Sequence, residues 1–120
     1  MTMINTSTVD QDILASILGV GGAPLLAEML KLFLSQIEHY RQAVEADLTR
    51  YDYPTLQADL HAMKSAASSL GFVALENCLK GFEKAVQSHT AWPELFVRAE
   101  DWRSFVAQAK DCAEQLLNAD

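Results

Sequence analysis

Apolar residues recur at steps of three and four along most of this chain, and that spacing restricts its fold more than any other feature. A period near 3.6 residues is typical of helices that bury one side, whereas half-buried strands alternate every second residue. The longest stripe extends over about 25 residues and contains Leu26, Met29, Leu30, Phe33, Ile37, Tyr40, Val44 and Leu48. Since no strand-like alternation lasts more than a few residues, the sequence predicts an all-α protein.

The start of the chain is expected to form a short helix of its own. Asp10 is placed to cap it, because an aspartate side chain accepts hydrogen bonds from the backbone amides of a first helical turn. We expect this helix to stop at Gly19 and the pair Gly21-Gly22 to form a turn. Pro24 then suits the first turn of a second, long helix, where its missing amide hydrogen costs nothing.

Three further helices follow in the predicted order. The third runs from about Pro54 to Leu70, Gly71 marks a break, the fourth continues to about Val86, and Pro93 opens the last. Four long helices joined by short connections favour an antiparallel arrangement. The predicted architecture is therefore an antiparallel up-down four-helix bundle with a short additional N-terminal helix.

Length and charge narrow the class of protein. At 120 residues one domain is expected, and we place it at residues 9–119, after a flexible tail formed by residues 1–8. The chain has 16 acidic and 9 basic residues and a net charge of −7. Nucleic acid is therefore not an expected partner, since its binding requires a basic surface. A protein partner is expected instead.

The cellular location is predicted from signals that the sequence lacks. No uninterrupted apolar run reaches the roughly 20 residues that span a bilayer, and residues 1–8 lack the basic start and apolar block of a secretory signal. We therefore expect a cytoplasmic protein.

Cys78 and Cys112 have no cysteine or histidine at metal spacing and are interpreted as buried small hydrophobic residues, so no metal site is predicted.

His61 is the strongest candidate for a functional residue. At about 100° per residue, the third helix turns one apolar stripe toward the core and His61 away from it; the stripe contains Leu56, Leu60, Met63, Ala67 and Leu70. The alternative is that His61 is a solvent-exposed histidine with no functional role. However, a merely solvated face favours Glu, Lys, Gln or Arg over Ser. The sector around His61 contains Gln57, Lys64, Ser65 and Ser68, and its two serines leave room for a partner.

This run resembles the histidine-containing phosphotransfer (HPt) domains of two-component phosphorelays. The family pattern of a histidine, an apolar residue, a lysine, two small residues and a glycine is matched here by His61, Met63, Lys64, Ser65, Ser68 and Gly71. Ser65 stands where glycine is commoner, and it is still small enough to leave the imidazole reachable. The similarity continues through Phe72, Leu75, Leu79, Phe82 and Glu83. His39 and His89 lack such surroundings and are predicted to be plain surface residues.

The resemblance implies a phosphoryl carrier. His61 would accept the phosphoryl group at Nε2, since neutral imidazole is a nucleophile near physiological pH. Glu83 would hold the opposite ring nitrogen, and Lys64, one turn after the histidine, is placed to neutralise phosphate oxygens. The partner would dock on Gln57, Ser65, Ser68 and Gly71. On spacing alone, Glu83 could equally pair with Lys80 or Lys84, and Lys64 could be an ordinary surface lysine.

The implied partners are the receiver domain of a hybrid sensor histidine kinase and a response regulator. A free-standing, monomeric carrier would shuttle phosphate between them, with magnesium supplied by the receiver and no cofactor in this chain. The sequence has no Gly-x-x-x-x-Gly-Lys-Ser/Thr loop for ATP and no Glu-x-x-His pair of the kind found in metal-binding bundles. The alternative left open is a helical adaptor that binds a receiver or another regulator without accepting phosphate.

Overall fold

The structure is a computed structural model and describes residues 8–118. This part of the chain contains four helices. They are α1 (Gln11–Arg50), α2 (Tyr53–Ser69), α3 (Val73–Gln87) and α4 (Trp92–Asn118). Within these residues there is no strand. Both α1 and α3 pack against α2 and α4, which confirms the predicted up-down four-helix bundle. Residues 1–7 of the predicted tail and residue 119 of the predicted domain lie outside the described residues, whereas Thr8 is described and buried.

The predicted short first helix is the initial limb of α1. Asp10 caps it as expected, since its side chain accepts from the amide of Asp12 at 2.9 Å. The helical backbone continues through the predicted stop at Gly19, and only Gly22 leaves it, with φ 70° and ψ −167°. This left-handed φ is open to glycine at little cost. The break at Gly22 therefore lies in the predicted turn Gly21-Gly22 and divides α1 into a short initial limb and a long second limb that meet at a kink.

The initial limb of α1 packs on the connection between α2 and α3. The amide of Asp10 donates to the carbonyl of Gly71 at 2.6 Å, and the amide of Ala74 donates to the carbonyl of Thr8 at 3.5 Å. Gly71 has φ +76°, and a Cβ there would lie 3.0 Å from Cβ of Ile13. A side chain at position 71 would thus be strained and would press against α1, which accounts for the glycine.

The core lies between all four helices. The predicted α2 stripe is buried throughout, with Leu56, Leu60, Met63, Ala67 and Leu70 all at most 1% exposed. Trp102 of α4 donates its indole N–H to the sulfur of Met63 at 3.4 Å. Phe33 and Phe72 stack with their ring centroids 4.5 Å apart. These contacts fix the rotation of α2 and thereby decide which of its residues face outward.

α1 is also long and apolar enough to cross a membrane, judged by length and composition alone. No membrane span was expected from the sequence, because polar residues interrupt its apolar runs. Core helices of soluble proteins pass the same test. The helix is broken at Gly22, and beyond the break Leu30, Phe33 and Ile37 are buried in the bundle. The most apolar 18-residue stretch of α1 is only 11% buried among the described residues, so the bundle covers the later part of the helix and leaves most of that stretch partly or fully exposed.

One acid, Asp47, is buried between α1 and α2, and one of its two oxygens is unpaired within the described part of the chain. Asp47 is 3% exposed, and its Oδ2 has no hydrogen-bond partner among the described residues. Burial, followed by the hydrogen bond and the repulsion of the neighbouring Asp59 carboxyl, raises the pKa of Asp47 to about 7. Sequence periodicity did not predict this pair, since a polar residue at a core position has no helical signature.

We expect Asp47→Asn to stabilise the protein above pH 7. The folded chain keeps a proton on Asp47 that the unfolded chain loses near pH 3.8, so stability falls as the pH rises from 3.8 to about 7. Asn does not ionise, and its amide can donate to Asp59. The gain over the parent should be roughly 1–3 kcal/mol above this range and small at its lower end. Thermal melts across the range test this, with exposed Asp111→Asn as control, and a difference independent of pH would contradict it.

Candidate functional site

The start of α2 sets the position of His61. Oδ1 of Asp52 accepts from the amide of Thr55 at 3.1 Å, and Oδ2 accepts from its hydroxyl at 2.7 Å. Pro54 lies in the first turn, where proline is favoured. The helix therefore begins in a fixed register at Tyr53. That register buries the apolar stripe and leaves the His61 side chain 63% exposed.

α3 brings a buried carboxylate to one side of the His61 ring. Phe82 and Val86 anchor α3 in the core, and Glu83 between them is 5% exposed. Its Oε2 lies 3.0 Å from Nδ1 of His61, and its Oε1 lies 3.3 Å from the same nitrogen. An ionised carboxylate can only accept hydrogen bonds. Nδ1 therefore carries the proton, and the lone pair of the neutral ring is on Nε2, which has no hydrogen-bond partner among residues 8–118.

The same carboxylate also binds Lys64. The ammonium Nζ donates to Oε1 of Glu83 at 2.9 Å, and the lysine side chain is only 23% exposed. Sequence reasoning missed this ion pair, because its partners are 19 residues apart and meet only when α2 packs on α3. Lys80, one of the alternatives weighed for Glu83, instead lies 3.8 Å from Glu76.

Glu83 is ionised in spite of its burial. Burial by itself would raise the pKa of this carboxyl, but the hydrogen bonds from Lys64 and then from His61 outweigh it, and the pKa is lowered below its usual value. A fixed negative charge therefore lies against Nδ1. That negative charge stabilises a positively charged imidazole ring. The ring is positively charged when both of its nitrogens carry a substituent.

Two open depressions lie on the face that α2 and α3 form around His61. One is lined by Lys64, Ser65, Ser68, Ser69 and Glu76, and the other by Pro54, Gln57, Ala58, His61, Glu83 and Gln87. Ser65 and Ser68 are exposed, and the hydroxyl of Ser65 turns back to the carbonyl of His61 at 3.3 Å. The predicted residues Gln57, Ser65 and Ser68 thus lie around His61 as expected from helical spacing. Gln87 belongs to α3, and no pattern in the sequence pointed to it.

The structure does not bring Gly71 to this surface. Gly71 is buried beneath the first turn of α1, where its carbonyl accepts from Asp10. The docking contact expected of this residue does not fit its position. The reason for a glycine here is the left-handed φ of the α2–α3 connection.

The other two histidines lack the surroundings of His61. His39 is exposed, with its ring edge-on to that of Tyr40 at a centroid distance of 5.4 Å. His89 is exposed and stacks on Tyr53 at 4.6 Å. Neither forms an ion pair with a carboxylate in the described part of the chain.

The two cysteines are free thiols, with Cys112 buried and Cys78 half-buried. Burial, together with the nearby Asp101, raises the pKa of Cys78 to about 11, and burial also raises the pKa of Cys112. Both sulfurs are therefore protonated near neutral pH, and a thiol is a poor nucleophile. Residues 8–118 contain no group of three or more His, Cys, Asp or Glu side chains placed to hold a metal ion.

Comparisons with known proteins agree on one family. The sequence profile of the Hpt domain matches residues 28–119. No curated relative matches the sequence. Among solved structures, histidine-containing phosphotransfer protein B (HptB) from Pseudomonas aeruginosa PAO1 is similar with a TM-score of 0.82 and 22% identity, over 95% of this chain and 97% of that one.

A second similar structure is the HPT domain of the Hpt sensor hybrid histidine kinase from Shewanella. Its TM-score is 0.80 at 18% identity, again over 95% of this chain and 97% of the other. At these identities the likeness concerns the fold. Both matches extend beyond the profile toward the N-terminus, so the initial limb of α1 belongs to the shared bundle.

Proposed function

The chain belongs to the Hpt domain family, whose members carry phosphoryl groups in two-component signalling, and from this premise we propose that His61 is its phosphoryl acceptor. Hpt domains are carriers rather than classical enzymes. One observation supports the assignment above all others: Nδ1 of His61 lies 3.0 Å from a buried carboxylate. That contact leaves the lone pair of the neutral ring on the other nitrogen of an exposed side chain.

The transfer proceeds by attack of Nε2 on the phosphorus of a receiver's aspartyl phosphate. The N–P bond forms as the bond between phosphorus and the aspartate oxygen breaks, and the aspartate leaves as a carboxylate. No proton needs to be removed, because the Nδ1 proton stays on the ring and continues to be held by Glu83. The product imidazolium is then stabilised by the charge of Glu83. The reverse step delivers the phosphoryl group to the next receiver.

The residues next to the imidazole ring orient the transferred phosphoryl group and neutralise its negative charge. Lys64 supplies a cation one helical turn from His61, and Ser65 and Ser68 leave room for the loop that bears the phosphoaspartate. Gln57 lines the depression on the other side of the ring. Transfer between two such sites depends mostly on positioning and charge stabilisation, while the magnesium belongs to the receiver.

The partners proposed for this site are the receiver of a hybrid sensor histidine kinase and a response regulator. Hpt proteins in general are soluble, and we place this one in the cytoplasm as a monomer. The functional unit that we propose is residues 9–119. The net charge of −7 does not favour nucleic acid as a further partner.

A phosphotransfer profile tests the proposal. The purified chain is offered to a panel of purified phosphorylated receivers, and the phosphate that moves to it is tested for acid and base stability. We expect at least one receiver to label the chain quickly with an acid-labile, base-stable phosphate. Binding of receivers without any labelling would contradict the proposal and favour an adaptor that does not accept phosphate.

A further inference from the structure

Lys64 and His61 are linked through one carboxylate. Oε1 of Glu83 accepts from Nζ of Lys64 at 2.9 Å, and Oε2 accepts from Nδ1 of His61 at 3.0 Å. Both oxygens of the carboxylate are therefore engaged, each by a different donor. In the unphosphorylated protein the lysine is already paired, and it is mostly covered. Its effect on the site thus begins before any phosphate arrives.

The carboxylate depends on its cation. Glu83 is 5% exposed, and a buried carboxyl without a compensating charge tends to take up a proton. The hydrogen bond from Lys64 is the largest influence that lowers the pKa of Glu83, ahead of the one from His61. Removal of the ammonium would leave the effect of burial on the pKa of Glu83 opposed by the interactions with His61 alone.

A protonated Glu83 would act on the ring in the opposite way. It could donate its O–H to Nδ1 instead of accepting from it. The lone pair of the neutral imidazole would then be engaged on Nδ1, and the ring proton would be on the exposed Nε2. A nitrogen that bears a proton cannot attack phosphorus, so this tautomer is inactive in transfer.

We infer that Lys64 is a positioning residue, which keeps the Glu83 carboxylate charged and so holds His61 in the tautomer with its lone pair on Nε2. This role adds to any contact between Lys64 and the phosphate. It rests on the proposed function only in so far as Nε2 is the nitrogen that accepts the phosphoryl group.

The tautomer of His61 can be measured without a receiver. Nitrogen NMR of the imidazole distinguishes the two neutral forms at a pH where the ring is uncharged. In the parent we expect the form with the proton on Nδ1, and in Lys64→Met we expect the opposite form or a mixture. Lys64→Arg, which keeps the charge, should retain the parent form. Lys84→Met is the matched control, since exposed Lys84 follows Glu83 in the chain and forms no ion pair with it among the described residues.

Transfer rates give a second, independent readout. Lys64→Met should slow transfer from a phosphorylated receiver by about tenfold or more, since a wrong tautomer removes the reacting lone pair. In the Glu83→Gln background the same substitution should have much less effect, because the residue through which Lys64 acts is gone. Full additivity of the two losses would mean that Lys64 acts separately from Glu83.

The outcomes separate this inference from the proposed function. An unchanged His61 tautomer in folded Lys64→Met overturns the inference even if phosphotransfer proceeds normally in the parent. Failure of every receiver to label the parent overturns the proposed function. The tautomer measurement still tests whether Lys64 acts on His61 through Glu83. Circular dichroism melts of each variant establish that the protein is folded, and Lys64→Arg supplies the comparison if Lys64→Met is destabilised.

Discussion

Substitution His61→Gln is expected to abolish phosphorylation of this protein by every receiver that labels the parent. Glutamine has no nucleophilic nitrogen, and none of the neighbours of His61 can replace the imidazole. The fold should persist, because the His61 side chain is 63% exposed and the core side of α2 is unchanged. The lost contact with Glu83 should cost no more than about 1–3 kcal/mol. Labelling with radioactive phosphate and thermal melts on the same samples measure both effects.

The remaining histidines serve as controls for this result. His39→Gln and His89→Asn should label at the parental rate, because neither residue has a carboxylate and a lysine beside it. Asparagine is chosen at position 89 since φ is 53° there and asparagine tolerates that conformation. Persistent labelling of His61→Gln, or its loss in either control, would show that the acceptor is elsewhere.

Substitution Ser68→Gln is expected to slow receiver-to-protein transfer about tenfold or more, since lost complementarity of about 1.4 kcal/mol already corresponds to that factor. Ser68 is exposed two turns after His61 and lines the depression that also contains Lys64. A longer side chain there occupies space that the receiver's phosphoaspartate loop must enter. Helix stability should stay the same or rise slightly, because glutamine is a better helix former than serine. Rate and stability thus change in opposite directions.

Two comparisons make this second experiment specific. Ser65→Gln should behave in the same way, although it also loses the weak bond to the carbonyl of His61. Ser104→Gln is the control, since Ser104 is exposed on α4 and lines neither of the two depressions near His61. If Ser65→Gln and Ser68→Gln transfer phosphate as fast as Ser104→Gln, the receiver docks on another surface.

Local features of the fold could be predicted from the sequence. The apolar stripe of α2, the cap at Asp10 and the break at Gly71 each follow from side-chain type and spacing within a few residues. The outward position of His61 follows from the same stripe, because a helix that buries Leu60 and Met63 must turn residue 61 away. The site is therefore predictable where it lies on one helix.

Features that depend on packing between helices were not predictable in this way. The Lys64–Glu83 ion pair joins α2 and α3, so spacing along one helix offered Lys80 and Lys84 as partners of Glu83 and did not point to Lys64. The Asp47–Asp59 pair joins α1 and α2, and Asp47 occupies a core position, where residues are usually apolar. The kink at Gly22 lies in the predicted turn Gly21-Gly22, but the helical backbone continues past the predicted stop at Gly19, because the local sequence does not select among several glycines.

The most direct test of the whole account is to locate the phosphate after transfer from a receiver. Phosphorus NMR of the protein with nitrogen-labelled histidine identifies the nitrogen that carries the phosphoryl group through its coupling. We expect a single phosphohistidine, at position 61, with phosphorus bonded to Nε2 and a proton retained on Nδ1. Phosphorus on Nδ1 of His61, or on any other residue, would contradict it.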